Sequence, residues 1–123
     1  MLKIKRLAKS FFYSFRGLKK VFFEEQNFKI QLIAAGLVFV LGIYFGITTL
    51  EWIAIVLVSG MVLIAEIINS AIERITDALK PRLDNYVKEI KDIMSGAVML
   101  ASIIAIIIGI LVFYPYFIHI VNF

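Results

Sequence analysis

The sequence predicts an all-α membrane protein: an N-terminal amphipathic surface helix followed by three transmembrane helices. Three observations carry that expectation. The 123 residues are 62% hydrophobic and 18% charged, whereas soluble domains run near ~45–50% apolar. No formal charge occurs between Lys29 and Glu51, and none after Asp92. The segment before Lys29, in contrast, interleaves bases and aromatics at helical spacing.

The surface helix is expected over about 2–25, where Leu7, Phe11, Phe15, Leu18 and Phe22 recur at three- and four-residue steps and Lys5, Lys9, Arg16 and Lys20 occupy other faces. Such a helix lies in the headgroup layer with its bases on anionic lipid. The segment never builds the uninterrupted apolar run of a cleaved signal. The spans follow at about 29–49, 51–75 and 92–118. The charge-free stretch 30–50 alone is 21 residues, and about 20 helical residues cross a bilayer core. In the second span Glu66 interrupts the apolar run, yet Ile67, Ile68, Ala71, Ile72 and Ile75 carry the apolar face onward. Pro81 marks the turn after it, and Pro115 falls near the end of the third span. Gly42 and Gly46 form a small-xxx-small pair expected to let helices approach closely.

Basic residues orient the chain. Eight lie in residues 1–29 and five from Arg74 to Lys91, while the turn near Thr48 has none. The positive-inside rule therefore predicts a cytoplasmic N-terminus, a cytoplasmic 74–92 loop and a C-terminus outside. The net charge of +4 has the same explanation, and no aromatic-and-basic nucleic-acid motif competes with it.

Composition excludes much chemistry. With no cysteine and only His119, the chain builds no disulfide, thiolate zinc site, Cys nucleophile or His-paired triad. None of its seven glycines belongs to a GxxxxGK[ST] or GxGxxG run. Once the spans are subtracted, too little chain is left for a soluble nucleotide-binding domain. Any metal must be held by oxygen.

The informative segment is Glu66-Ile67-Ile68-Asn69-Ser70-Ala71-Ile72-Glu73 with Asp77. Offsets of 0, 3, 4, 7 and 11 put Glu66, Asn69, Ser70, Glu73 and Asp77 on one helix face. A carboxylate at bilayer depth costs roughly 2.5–3.5 kcal/mol on insertion scales, so a cation or proton must compensate. A hard divalent ion held by these acids and by Glu25 or Glu24, at the junction of surface helix and first span, answers that need, and Mg²⁺ bound through phosphates is the usual case. Lys91-Asp92, expected at the start of the third span and followed by Ser95, Gly96 and Ala97, brings a base to the level of Glu73, favouring a phosphate-bearing ligand. Glu66, the deepest acid, is placed to take the proton from a hydroxyl at the interface, its apolar surroundings making it a stronger base.

Two other readings predict different contacts. In one, Glu66 and Glu73 pair with Lys91 or Arg74 as structural glue, although Arg74, adjacent to Glu73, is expected to point away. In the other, a non-catalytic oligomer lines a cation pathway with Glu66, Asn69 and Glu73; such a pore has no need of Lys91-Asp92 or Glu25.

In this order the residues resemble the small integral-membrane diacylglycerol kinase family of bacteria. The resemblance runs through Tyr13-Ser14-Phe15-Arg16-Gly17-Leu18, Glu25 with Asn27-Phe28-Lys29, the Glu66–Glu73 signature with Asp77, and Lys91-Asp92 with the small residues to Ala97. It implies a homotrimer in the bacterial inner membrane that transfers the γ-phosphate of ATP to a lipid hydroxyl, a step of phospholipid biosynthesis. By resemblance Glu66 is the general base and Glu25 and Glu73 are the Mg²⁺ ligands. Asn69, Lys91 and Asp92 are nucleotide or active-site contacts, and Arg6, Tyr13 and Ser14 touch nucleotide or lipid from the surface helix, completing a neighbour's composite site. Diacylglycerol, giving phosphatidic acid, is the favoured acceptor; the sequence departs from the family pattern at Gln31, where many polyprenol-using relatives carry histidine. Undecaprenol is the alternative, since the run from Glu25 to Ile30 resembles the Gram-positive branch. The 80–89 loop matches neither branch.

Overall fold

The computed structural model describes residues 3–79 and 84–122. These form four helices: α1 over Ile4–Glu24, α2 over Gln26–Phe45, α3 over Thr49–Leu79 and α4 over Asp84–Val121. Three of them, α2, α3 and α4, are long and apolar enough to cross a membrane. With α1 amphipathic and no strand among the described residues, the all-α membrane architecture read from composition is the one found.

A single residue separates α1 from α2. Glu25 is extended at φ −104°, ψ 112°, closing α1 through its N–H to the Val21 carbonyl and opening α2 as its N-cap. The physical need for an elbow is clear from what it joins: a basic, aromatic helix whose residues are exposed except Val21, and an apolar helix. A carboxylate at the start of α2 also suits the positive end of that helix's dipole.

At the far end, α2 stops at Gly46, which takes the left-handed conformation at φ 61°, ψ 50° and lets the backbone close on the Gly42 and Ile43 carbonyls. A side chain there would meet the left-handed backbone penalty that glycine escapes. Thr48 then starts α3 by a reciprocal cap: the Glu51 N–H donates to Thr48 Oγ1 at 3.2 Å while Thr48 N–H reaches Glu51 Oε1 at 3.4 Å. Tyr116 of α4 donates its hydroxyl to the same Glu51 oxygen at 2.8 Å. The buried core, Ile47, Ile55, Val112 and Phe113, sits at this end, with Phe45 against the rings of Phe113, Tyr116 and Phe117.

The two glycines expected to form one packing pair have separate jobs. Gly42 is buried, and a Cβ on it would come within 2.6 Å of the Trp52 ring in α3. Gly46 has open space around it and is required by its backbone angle instead.

Helix lengths decide what overhangs. At 1.5 Å per residue, the 20 residues of α2 span about 30 Å, one hydrocarbon layer, and the 31 residues of α3 about 46 Å. Because α2 and α3 share a tight turn at one end, the excess of α3 projects past the elbow at the other. There α4 accompanies it, with Val87 buried and Lys91 paired to Asp77. Lys91-Asp92 thus lies two turns inside α4. The turn at Pro81 and residues 80–83 of the 80–89 loop fall outside the described residues.

Gly42→Ala is expected to destabilise the protein by about 1–3 kcal/mol through overpacking against Trp52, and Gly46→Val by about 1–2 kcal/mol through left-handed strain. Both are checked by denaturant unfolding in mixed micelles.

Candidate functional site

The polar stripe of α3 faces the start of α2. Glu66, Asn69 and Ser70 are buried, Glu73 is half-buried and Asp77 exposed, so the stripe is closed as far as Ser70 and opens toward the overhang. Glu66 is only 2% exposed, and it accepts a cross-helix hydrogen bond from Gln31 of α2, whose Nε2 lies 3.4 Å from Glu66 Oε2. Amide and carboxylate are one and a half turns inside α2, too deep for bulk water to serve them once the helix is in lipid. The other amide atom, Gln31 Oε1, is buried without a partner.

One turn along α3, Asn69 donates from Nδ2 to Glu73 Oε1 at 3.3 Å. Ser70, 1% exposed, donates from Oγ to Glu25 Oε1 at 2.9 Å and so ties the elbow to the stripe. Both carboxylates are engaged through Oε1. The charges of Glu73 and Glu25 both act on Glu66, which brings three acids from two elements into one electrostatic neighbourhood.

Arg74, adjacent to Glu73 and expected to point away from it, is carried by its helical position to the elbow. Its guanidinium forms an ion pair with Glu24, lies 3.4 Å from Glu25 Oε1, and donates to Ser70 Oγ at 2.7 Å. Among the described residues neither Glu66 nor Glu73 forms an ion pair; Lys91 pairs with Asp77 and Arg74 with Glu24 and Glu25. The structural-glue reading therefore does not describe these acids.

The remaining expected residues divide. Lys91 is brought to the stripe, although onto Asp77, and Asp92 beside it is exposed. Arg6, Tyr13 and Ser14 are exposed on α1, Ser14 donating to the Ser10 carbonyl at 2.9 Å. Gln31, Ser70 and Arg74 are the participants not singled out as cross-helix partners from sequence. A signal existed for two of them: Ser70 and Arg74 are four apart, hence neighbours on one helix face.

Among the described residues no three metal-ligating side chains converge. A divalent ion nevertheless fits the donor set. Glu25 and Glu73 present hard carboxylate oxygens on adjoining elements, their Oε2 atoms taking no part in the hydrogen bonds above, and Mg²⁺ is commonly held by one or two carboxylates plus substrate phosphates. Two carboxylates alone leave most of its octahedral shell to water and phosphate.

Beside the Glu66–Gln31 pair opens an apolar groove of about 270 Å³ among α2, α3 and α4, lined by Gln31, Val38, Ile55, Val62, Ser102 and Ala105. It is almost wholly hydrocarbon, with Gln31 and two serines as its polar members. The site thus has an acidic, water-facing side at the elbow and a greasy side in the span.

Comparison with known proteins bears on this arrangement. A family model described as prokaryotic diacylglycerol kinase matches residues 12–113. The chain is 33% identical over 113 residues to an undecaprenol kinase of Bacillus subtilis, covering 92% of each chain. It is 35% identical over 99 residues to a diacylglycerol kinase of Helicobacter pylori, covering 80% of this chain and 77% of that one. To a diacylglycerol kinase of Escherichia coli it is 28% identical over 112 residues, 91% and 92% of the two chains.

Gln31→Leu removes the neutral donor from a buried acid and is expected to cost about 1–3 kcal/mol, the usual penalty for an unsatisfied buried polar group. Unfolding in micelles measures it, with the surface substitution Gln26→Leu as the reference.

Proposed function

The chain belongs to the prokaryotic diacylglycerol kinase family, and on that premise we propose that it transfers the γ-phosphate of ATP, with Mg²⁺, to diacylglycerol, giving phosphatidic acid. That it is a multi-pass membrane lipid kinase follows from the family and the three apolar helices. The observation that supports the finer reading is the sorting of the site. The buried Glu66 adjoins an apolar groove suited to a lipid, and Glu25 and Glu73 lie toward the overhang where a water-soluble nucleotide arrives.

In this reading Glu66 accepts the proton as the lipid hydroxyl oxygen attacks the γ-phosphorus. The new O–P bond forms, the bond to the β-phosphate oxygen breaks, and ADP leaves. Gln31 holds the Glu66 carboxylate by its 3.4 Å hydrogen bond. Glu25, fixed by Ser70, and Glu73, fixed by Asn69, would hold Mg²⁺. The ion, when bound, neutralises the developing charge on the phosphates. Lys91 and Asp92 on α4 border the nucleotide from the overhang. Phosphoryl transfer is mainly positioning and charge neutralisation, so a phosphate cradle of glycines is dispensable.

The proposed enzyme is a homotrimer in the bacterial inner membrane, its N-terminus and 74–92 loop cytoplasmic and its C-terminus outside. The orientation is supported by the basic residues. The trimer is supported by the exposed positions of Arg6, Tyr13 and Ser14, which in this reading act on a neighbour's site.

Undecaprenol is the alternative acceptor, supported by the likeness to the Bacillus subtilis protein along 92% of each chain. Both are lipid alcohols, and Glu66 performs the same proton transfer on either.

Glu66→Gln is expected to lower the rate of transfer from labelled ATP into lipid by about 10²–10⁴-fold, the range for losing a general base. Undiminished labelling would refute its role. Glu73→Ala should instead raise the Mg²⁺ concentration needed for half-maximal rate. With both lipids present at equal mole fraction, more label in phosphatidic acid than in undecaprenyl phosphate is the expected outcome.

A further inference from the structure

We propose that Arg74 makes the metal site selective for a metal–nucleotide complex over a bare divalent cation. This rests on the reading of Glu25 as a metal ligand and adds a residue that the family resemblance did not single out. The role of fixed cation was expected of Lys91, yet Lys91 is committed to Asp77. The cation bonded to a proposed ligand carboxylate is Arg74, with Nη1 3.4 Å from Glu25 Oε1.

Three contacts hold it there. Nη1 donates to Ser70 Oγ at 2.7 Å and approaches the Ser70 carbonyl at 3.4 Å, while Nη2 pairs with Glu24. The guanidinium and its serine share a single oxygen of Glu25, because Ser70 Oγ donates to Oε1 at 2.9 Å. The Arg74 side chain is nevertheless 41% exposed.

A metal ion on Glu25 would sit within a few ångströms of a permanent positive charge. For a bare dication that proximity is repulsive. The complex of a divalent ion with a nucleoside triphosphate is an anion, and a guanidinium is matched to phosphate oxygens in charge and fork geometry. The same charge therefore opposes the first ligand and favours the second. Arg74 also keeps Glu25 from serving as a free carboxylate until the anionic complex supplies phosphates to take over its bonds. Glu24 moderates the effect by neutralising the outer nitrogen.

The test uses full-length protein in lipid nanodiscs, with Mn²⁺ as probe and free Mn²⁺ read by electron paramagnetic resonance, alone and with β,γ-methylene ATP. Arg74→Gln is expected to tighten binding of bare Mn²⁺ and weaken that of the Mn²⁺–nucleotide complex, each by about tenfold, the effect of one charge at short range in a solvated site. Arg74→Lys keeps the wild-type order. Glu24→Gln, which leaves the Ser70 and Glu25 contacts in place, moves both affinities the opposite way and holds the test open should Arg74→Gln fail to fold. Affinities that stay put or move together in these variants overturn the inference and leave Arg74 as a latch. If Glu25→Gln leaves Mn²⁺ binding unaltered both with and without nucleotide, the metal reading of Glu25 itself falls.

Discussion

A carboxylate inside the apolar layer must find partners among the neighbouring helices, and the arrangement of this protein follows from how three acids meet that demand. Glu66 receives a neutral amide from Gln31, Glu73 a neutral amide from Asn69, and Glu25 a hydroxyl from Ser70 beside the Arg74 guanidinium. Neutral donors hold the first two carboxylates without cancelling their charge. Had Lys91 or Arg74 closed on Glu66 or Glu73, the stripe would be an inert ion pair. The two bases are spent on Asp77 and on the elbow acids instead.

The same interactions explain why the chain bends at Glu25. α2 is as long as the hydrocarbon layer is thick, so its first residue lies at the interface, where α1 must turn aside to keep its bases in water. Ser70 and Arg74 grip the residues at that turn from α3. The opposite end is fastened by different chemistry: the left-handed Gly46, the Thr48–Glu51 cap and the Tyr116 hydroxyl. Between these fastenings the helices leave a hydrocarbon groove that ends at Gln31. Polar closure at both ends with an apolar interior suits a protein whose proposed substrates approach from two solvents, a lipid from the bilayer and a nucleotide from water.

Four helices, three of them apolar enough to span, were legible in the sequence because charge-free runs and helical periodicity are local properties, and a bilayer permits few ways to satisfy a spanning backbone. The acidic stripe was equally legible, since residues three and four apart must share a helix face. Chemistry read at that level needs no knowledge of what lies opposite. Glycine 46 shows the limit: its spacing from Gly42 suggested packing, and only the backbone angle reveals a cap.

What the sequence by itself determined, then, is the helices, their faces, and the family with its lipid-kinase chemistry. Tertiary structure alone decided who meets whom across helices: Gln31 with Glu66, Ser70 and Arg74 with Glu25, Lys91 with Asp77, and the start of α4 two turns ahead of Lys91. The reason is physical. A helix face is fixed by 3.6 residues per turn, whereas a partner 35 or 49 positions away is fixed by helix length, turn geometry and depth acting together.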